Sequence, residues 1–278
     1  MRVSTDWALV TGGGLRLGRE FCLAFARAGW NIACHYRHSR EAAEATCAEA
    51  RALGVQALAF QADLSERGSA APLLARVHAA CGALPRALVN NASLFEPDSA
   101  ADFGDDLARV DRQLHTNTLT PLLLASDWAR RWQAHDRAQP PAPGSARPVA
   151  IHVLDQKVFN LNPDYFSYTL SKLALERAVA LQAQALAPGV RVVGLAPGLM
   201  YPSGPQSQDN YDRAARVNLL RAPLLAQHVA QTGVFFAENP AITGITLCVD
   251  NGQHLVPLER DVMFMIDRPA PEPSLPHP

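Results

Sequence analysis

The chain has 278 residues, 48% hydrophobic and 18% charged, which provides material for a sizeable buried core and excludes a globally disordered protein. Its 25 basic and 26 acidic residues leave a net charge of −1, with no electrostatic reason to expect nucleic acid or an anionic membrane as partner. No apolar run approaches the roughly 18–20 residues of a membrane span, and the polar stretch Met1 to Asp6 lacks a signal-peptide layout, so the reading is cytoplasmic. Five scattered cysteines, Cys22, Cys34, Cys47, Cys81 and Cys248, form no C-x-x-C pair and read as reduced thiols rather than a disulfide framework or metal site.

Strand-length apolar runs alternate with amphipathic stretches of helical length. Trp7 to Val10 precedes a helical pattern over Leu15 to Ala28. Asn31 to Tyr36 precedes one over Arg40 to Leu53, and Val55 to Gln61 one over Ala70 to Cys81. Ala87 to Asn90 leads into a long helical region, Asp105 to His135, and Val149 to Leu154 into Tyr165 to Leu186. Val190 to Leu195, a helix over Pro223 to Ala237 and Ile245 to Val249 complete the series. Parallel strands need crossover helices, so the alternation predicts one α/β domain with a doubly wound, seven-stranded parallel sheet over residues 1–255. Residues 256–278 are a C-terminal extension, Pro-rich and extended at 269–278. Arg137 to Pro148 reads as a surface loop, and Met200 to Ala222 as a long loop placed where a lid over a site would sit.

The first strand runs into Thr11-Gly12-Gly13-Gly14-Leu15-Arg16-Leu17-Gly18 and a helix. Glycines there let backbone approach a pyrophosphate, and the N–H groups of the new helix attract its charge. Arg16 stands where glycine is commonest; it is either a tolerated surface variant or a guanidinium beside both cofactor phosphates and substrate. After the second strand, His35-Tyr36-Arg37-His38-Ser39-Arg40 offers no acid for a ribose 2′-hydroxyl and suits a 2′-phosphate, which favours NADP(H). A solvated basic patch is the plainer alternative. Tyr168 and Lys172 are one helical turn apart, so the cation is expected to lower the phenol's pKa for acid–base work.

In this strand–turn–helix context the chain resembles the short-chain dehydrogenase/reductases from about Trp7 to Leu255. The matching pieces are Thr11 to Gly18, Asp63-Leu64, Asn90-Asn91-Ala92-Ser93, Asn117, Tyr168/Lys172 and Pro197-Gly198. The resemblance implies a Rossmann-type fold with Gly12, Arg16, Leu17, Tyr36, Arg37, His38 and Ser39 on the cofactor. It implies Asp63 and Leu64 at the adenine, and Asn90 and Ala92 at its ribose. Pro197 and Gly198 would border the nicotinamide, Lys172 its ribose, and Asn117 would kink the fourth helix and anchor a proton-relay water.

Four departures make the chain most similar to the pteridine and dihydromonapterin reductase branch. They are Arg16, the His-Tyr-Arg-His-Ser segment, Asn-Asn-Ala-Ser-Leu-Phe after the fourth strand, and Asp155 in the usual catalytic serine's place, thirteen residues before Tyr168. That resemblance implies a pterin or folate-like substrate, with Asp155 and Tyr168 relaying protons, Phe95 stacking on the ring and Arg16 and Ser93 on its polar edge. Leu199 stands where a hydroxyl residue near the pterin is common. Phe95 also reads as a core aromatic, and Asp155 as a carboxylate locked by Lys157 or by a backbone cap. A ketone or aldehyde reductase of the same family and a non-catalytic dinucleotide-binding protein are the alternatives. The family also implies a homotetramer paired through the fourth and fifth helices, using Leu173, Leu175, Ala178, Val179 and Leu181, with Val256 to Ile266 reaching a neighbour's site.

Overall fold

A computed structural model describes residues 5–266 apart from Pro143 and Pro205. The Pro-rich tail expected at 269–278 lies outside the described residues. Seven parallel strands, β1 (Trp7–Val10), β2 (Asn31–Tyr36), β3 (Ala57–Gln61), β4 (Ala87–Asn90), β5 (Val149–Val153), β6 (Arg191–Pro197) and β7 (Thr246–Val249), form one sheet in the order β3-β2-β1-β4-β5-β6-β7.

Side chains alternate across the sheet and feed two core layers. Val10, Val89, Ile151 and Val193 pack with α1 (Arg16–Arg27) and α2 (Arg40–Ala52) on one face. Leu9, Leu88, Ala150 and Val192 meet α3 (Ala70–Cys81) on the other. The central strands are buried on both sides, which is why they read as unbroken apolar runs. The strand order reverses between β1 and β4, since β2 and β3 are added on one side and β4 to β7 on the other, and a crevice opens there at the strands' carboxyl ends, where ligands bind in such sheets. Among the described residues no helix is long and apolar enough to cross a membrane.

The long fourth helical region is divided. α4 (Leu107–Leu114) passes through a π-helical turn, His115–Leu119, into α5 (Thr120–Ala138). Pro121 has no N–H for the carbonyl of Asn117, four residues earlier, so the ladder widens there and Asn117 is turned inward. α6 (Phe166–Leu186) starts one residue later than expected, because Tyr165 adopts a left-handed conformation (φ 56°) while stacked on Phe95. The expected loop Met200 to Ala222 contains a short helix, α7 (Gln208–Ala214), whose first turn is capped by the Ser207 hydroxyl accepting from Asn210 N–H. α8 (Ala226–Glu238) begins three residues after the expected Pro223 and packs on α1. The last short helix, α9 (Val262–Met265), folds back onto its own chain at Tyr165 and Lys157.

Candidate active site

The glycine turn is held from three sides. Gly12 (φ 64°) donates its N–H to Nδ1 of His35 at 3.1 Å, and the Thr11 hydroxyl accepts from the N–H groups of Asn91 and Ala92 at 2.9 and 3.0 Å. A Cβ on Gly18 would lie 1.9 Å from the carbonyl oxygen of Gly12, so backbone meets backbone where the helix leaves the turn. Arg16 is in the left-handed region (φ 49°), the conformation that explains why glycine is commoner there. Its guanidinium donates to Pro202 O at 2.9 Å and lies 4.8 Å from the Tyr201 ring centroid, so the loop after β6 closes over the turn.

A cleft of about 480 Å³ runs from this turn along the strand ends. It gathers Gly12, Leu17, Tyr36, Arg37, His38 and Ser39 at one end, with Asp63 and Leu64 beside them. Ala92, Ser93, Asp155, Tyr168 and Lys172 line the rest, closed by Pro197 and Gly198. Arg37 forms an ion pair with Asp63 at 2.8 Å, which fixes that guanidinium at the rim. A second cleft of about 320 Å³ shares Arg16, Asp155, Tyr168 and Gly198 with the first and adds Phe95 and Leu199.

One expected position differs. The Asn90 side chain faces the interior, 3.1 Å from His152 Nδ1 and donating to Pro121 O, and Asn91 forms the cleft wall instead. Asn117 lies just behind the cleft. Its Oδ1 accepts from Leu94 N–H and the Ser93 hydroxyl, and its Nδ2 donates to Leu94 O and Ser171 Oγ, tying the Ser93–Leu94 loop to α6.

At the junction of the clefts Tyr168 Oη donates to Asp155 Oδ2 at 2.8 Å. Asp155 Oδ1 accepts the backbone N–H of Lys157 at 2.9 Å, so the carboxylate caps a short turn, Gln156–Val158, without losing its second oxygen. The Lys157 ammonium goes elsewhere, to Asp261 at 2.8 Å. Desolvation pushes the Asp155 carboxyl above the usual carboxylate range, against the opposing pull of Lys157, Tyr168 and Lys172.

Tyr168 corrects an expectation. Burial, and then the charge and hydrogen bond of Asp155, push its phenol well above the ordinary value instead of below it. The Lys172 ammonium donates to Val153 O at 2.8 Å and lies 5.7 Å from the phenol ring centroid, while burial lowers its own pKa to about 8. Burial and the carboxylate on the phenol oxygen therefore hold Tyr168 in its neutral form.

The sequence pattern alone did not single out Tyr201 or Asp261, and it gave neither the wall position of Asn91 nor the partner of the Lys157 ammonium. Their places depend on contacts with distant chain, and only the Pro/Gly/Ser-rich composition after β6 hinted at a covering loop. His35 is also distinct from the basic residues after it: it is buried, with Nε2 3.1 Å from Ala62 O. A neutral ring carrying its proton on Nε2 satisfies both contacts, and desolvation lowers its pKa to about 4. Between pH 6.5 and 4 the unfolded chain then binds the extra proton, so this stability is complete above pH 6.5 and is lost as pH falls toward 4. His152, also lowered to about 4 by burial, acts with the same sign. Chemical denaturation across that window should show stability falling by on the order of 2–3 kcal/mol per histidine. His35→Asn should make the slope shallower; an unchanged slope would contradict the neutral-ring assignment.

The cleft thus brings together a glycine turn at the β1–β4 crevice and a tyrosine and lysine one helical turn apart that face it, an arrangement suited to a nucleotide-dependent oxidoreductase. The chain belongs to the short chain dehydrogenase family, whose pattern it matches over residues 6–213. It is similar to the crystal structure of FolM alternative dihydrofolate reductase 1 from Brucella suis in complex with NADP, at 35% identity and TM-score 0.81, covering 91% of this chain and 96% of that one. The corresponding Brucella canis protein, complexed with NADP, is 34% identical with TM-score 0.81, covering 91% and 95%. Dihydromonapterin reductase of Citrobacter koseri is 26% identical over 247 residues, 89% of this chain and 96% of that protein. The 3-oxoacyl-[acyl-carrier-protein] reductase FabG of Staphylococcus aureus is also 26% identical, over 258 residues, covering 90% and 99%.

Proposed function

We propose that the protein is an NADP(H)-dependent oxidoreductase that reduces a pterin, dihydropterin or dihydrofolate-like ring, with protons supplied through Tyr168 and Asp155. The observation that carries this reading is the 2.8 Å hydrogen bond from Tyr168 to Asp155 where the two clefts meet. A ketone reductase needs a neutral hydroxyl beside the tyrosine to hold the carbonyl oxygen. A pterin has ring nitrogens to protonate, and a carboxyl with raised proton affinity can take a proton from solvent and return it to the phenol. The pterin and folate activities named for the Citrobacter and Brucella proteins point to the same ring class.

The residues fit the cofactor. The close approach of Gly12 and Gly18 leaves a side-chain-free cradle for a pyrophosphate at the N-terminus of α1. Tyr36 to Ser39 would take the 2′-phosphate, Asp63 and Leu64 the adenine, and Pro197 and Gly198 the nicotinamide, with Lys172 at its ribose. When bound, NADPH supplies the hydride. Tyr168 gives its proton to the substrate ring, and Asp155, held by the Lys157 N–H, reorients and replenishes the phenol. One face of Phe95 is covered by Tyr165 at 4.0 Å, so the substrate ring would use the other, with Arg16 and Ser93 at its polar edge and Leu199 beside it.

NADPH oxidation by the purified protein, with dihydrobiopterin, dihydromonapterin, dihydrofolate and a ketone panel, tests this reading. Pterin turnover should fall by about 100-fold or more in Asp155→Ser. Ketone turnover without pterin turnover would favour the competing carbonyl reductase, for which the 26% identity to FabG, the same as to the Citrobacter reductase, is the supporting observation.

A homotetramer is part of the same proposal. Leu175 and Val179 are committed to the chain's own core, whereas Leu170, Leu181, Leu119 and Leu123 remain exposed on the outer helix faces. A mass measurement giving only monomer at micromolar protein would remove this part.

A further inference from the structure

Lys157 is a buried lysine that the proposed proton relay does not use. Only 3% of it is exposed, although it sits two residues from Asp155 and lines the second cleft. Its ammonium is fully engaged: Asn162 Oδ1 at 3.0 Å, Asp164 O at 3.4 Å and Asp261 Oδ2 at 2.8 Å. Asp261 comes from the C-terminal segment, and its other oxygen caps α9 by accepting Met263 N–H at 3.2 Å. That segment is fastened beside the pair. Arg260 grips Asp164 through Nε and Nη2 at 2.6 to 2.9 Å, and Asp261 N–H donates to the same carboxylate at 2.7 Å. Asp261 and Val262 thereby become part of the wall facing Phe95 and Tyr168.

The geometry points to Asp261 as a positioning residue for the Asp155–Tyr168 pair, acting through Lys157: the buried ion pair holds the turn whose N–H fixes Asp155 and balances the charge that its carboxyl feels. This rests on the proton-relay reading for its catalytic meaning, though not for its physical content. The lysine backbone binds Asp155 Oδ1 while its side chain is anchored 104 residues along the chain, so loss of the anchor loosens the turn. The charged and titratable groups facing Asp155 are Lys157 on its own turn, Tyr168 and Lys172 on α6, and Arg16 across the clefts. Asp261 stands behind Lys157, and its charge reaches Tyr168. Removing either member of the pair takes away the nearest opposite charge of the other, leaving Lys157 only the more distant Asp164 carboxylate and Asp261 only Arg260.

The test has a readout independent of turnover. In full-length protein carrying [13Cγ]aspartate, the Asp155 resonance is assigned by its loss in Asp155→Asn and titrated by NMR. Asp261→Asn strips the Lys157 cation of its nearest carboxylate and should weaken the proton affinity of Asp155 about tenfold. Lys157→Met leaves the Asp261 carboxylate and should strengthen it about tenfold. The double variant carries no orphaned charge. Its Asp155 titration should return to within about threefold of wild type, while kcat for whichever substrate the wild type reduces stays about tenfold low and KM for NADPH is unchanged.

Opposite shifts support the inference. Titrations that stay put, or move the same way in both single variants, overturn it and leave Lys157–Asp261 a simple fastening. If a single variant does not fold, a double variant with unchanged kcat overturns the positioning role. Opposite NMR shifts in a protein that reduces only ketones would retain the inference and discard the pterin reading. Pterin turnover with unmoved titrations would do the reverse.

Discussion

Tyr168→Phe is expected to lower kcat for pterin reduction by about two to four orders of magnitude while leaving the KM for NADPH within a few-fold. The substitution removes one hydroxyl and keeps the ring, so the edge-on contact with Phe95 at 4.7 Å and the start of α6 are retained. The proton donor is lost. Asp155 keeps its Lys157 N–H cap but loses the phenol, whose hydrogen bond opposes desolvation, so its carboxyl should hold a proton still more tightly. An acid thus remains in the site, yet its proton has no group through which to reach the substrate. Steady-state kinetics of the variant, with NADPH affinity measured separately by fluorescence titration, separates this outcome from damage to the nucleotide site. A dinucleotide-binding protein without turnover would be indifferent to the change. A variant with wild-type kcat would remove Tyr168 from the reaction altogether.

The direction of the Tyr168 shift marks where sequence reasoning stops. A spacing of four residues on a helix places Lys172 on the same face as the tyrosine, and that much is local. The direction of the phenol's shift depends on its burial and on what touches its oxygen, and the strand end that supplies Asp155 is brought there by the sheet. The glycine turn, the seven strands and the Tyr168/Lys172 pair were legible because each is written in contiguous residues whose period or spacing carries the physics. The kink at Asn117 came only from the family resemblance, and its local cause, Pro121 four residues later, emerges once the carbonyl it leaves unserved is counted.

Features built from distant chain were not legible. Adjacent asparagines at the end of β4 split their duties: Asn90 turns to His152 and Asn91 to the glycine turn. No rule at the sequence level orders them, because one step along a strand reverses the side chain's face. Lys157 read as a possible lock on Asp155, whereas its ammonium finds Asp261 far along the chain. The C-terminal extension could be measured as surplus to the sheet, but its path back over Tyr165 depends on the Arg260–Asp164 and Tyr165–Met263 contacts.

Gly18→Ala should raise the dissociation constant for NADPH by about 100-fold or more and lower the unfolding stability by about 1–3 kcal/mol, the range for forced overpacking. The added Cβ would stand 1.9 Å from the carbonyl oxygen and 2.7 Å from the carbonyl carbon of Gly12, and 2.8 Å from Asn91 Nδ2. The first two are backbone atoms, so no rotamer change relieves them. Gly12 cannot withdraw freely either, because its N–H is bound to His35 and its neighbour Thr11 holds the end of β4. Relief therefore requires α1 to lift from the turn, which moves the helix N–H groups from the place where a pyrophosphate would sit and disturbs the packing of Phe21 against Gly233 on α8. Gly104→Ala is the matched control: nothing lies within 4 Å of its added methyl, so binding and stability should stay near wild type. Fluorescence titration with NADPH and chemical denaturation of both variants read the two quantities separately. Tight NADPH binding by a destabilised Gly18→Ala protein would mean that the turn's donors survive the displacement of α1 and that the cofactor is held chiefly by the Tyr36 to Ser39 segment.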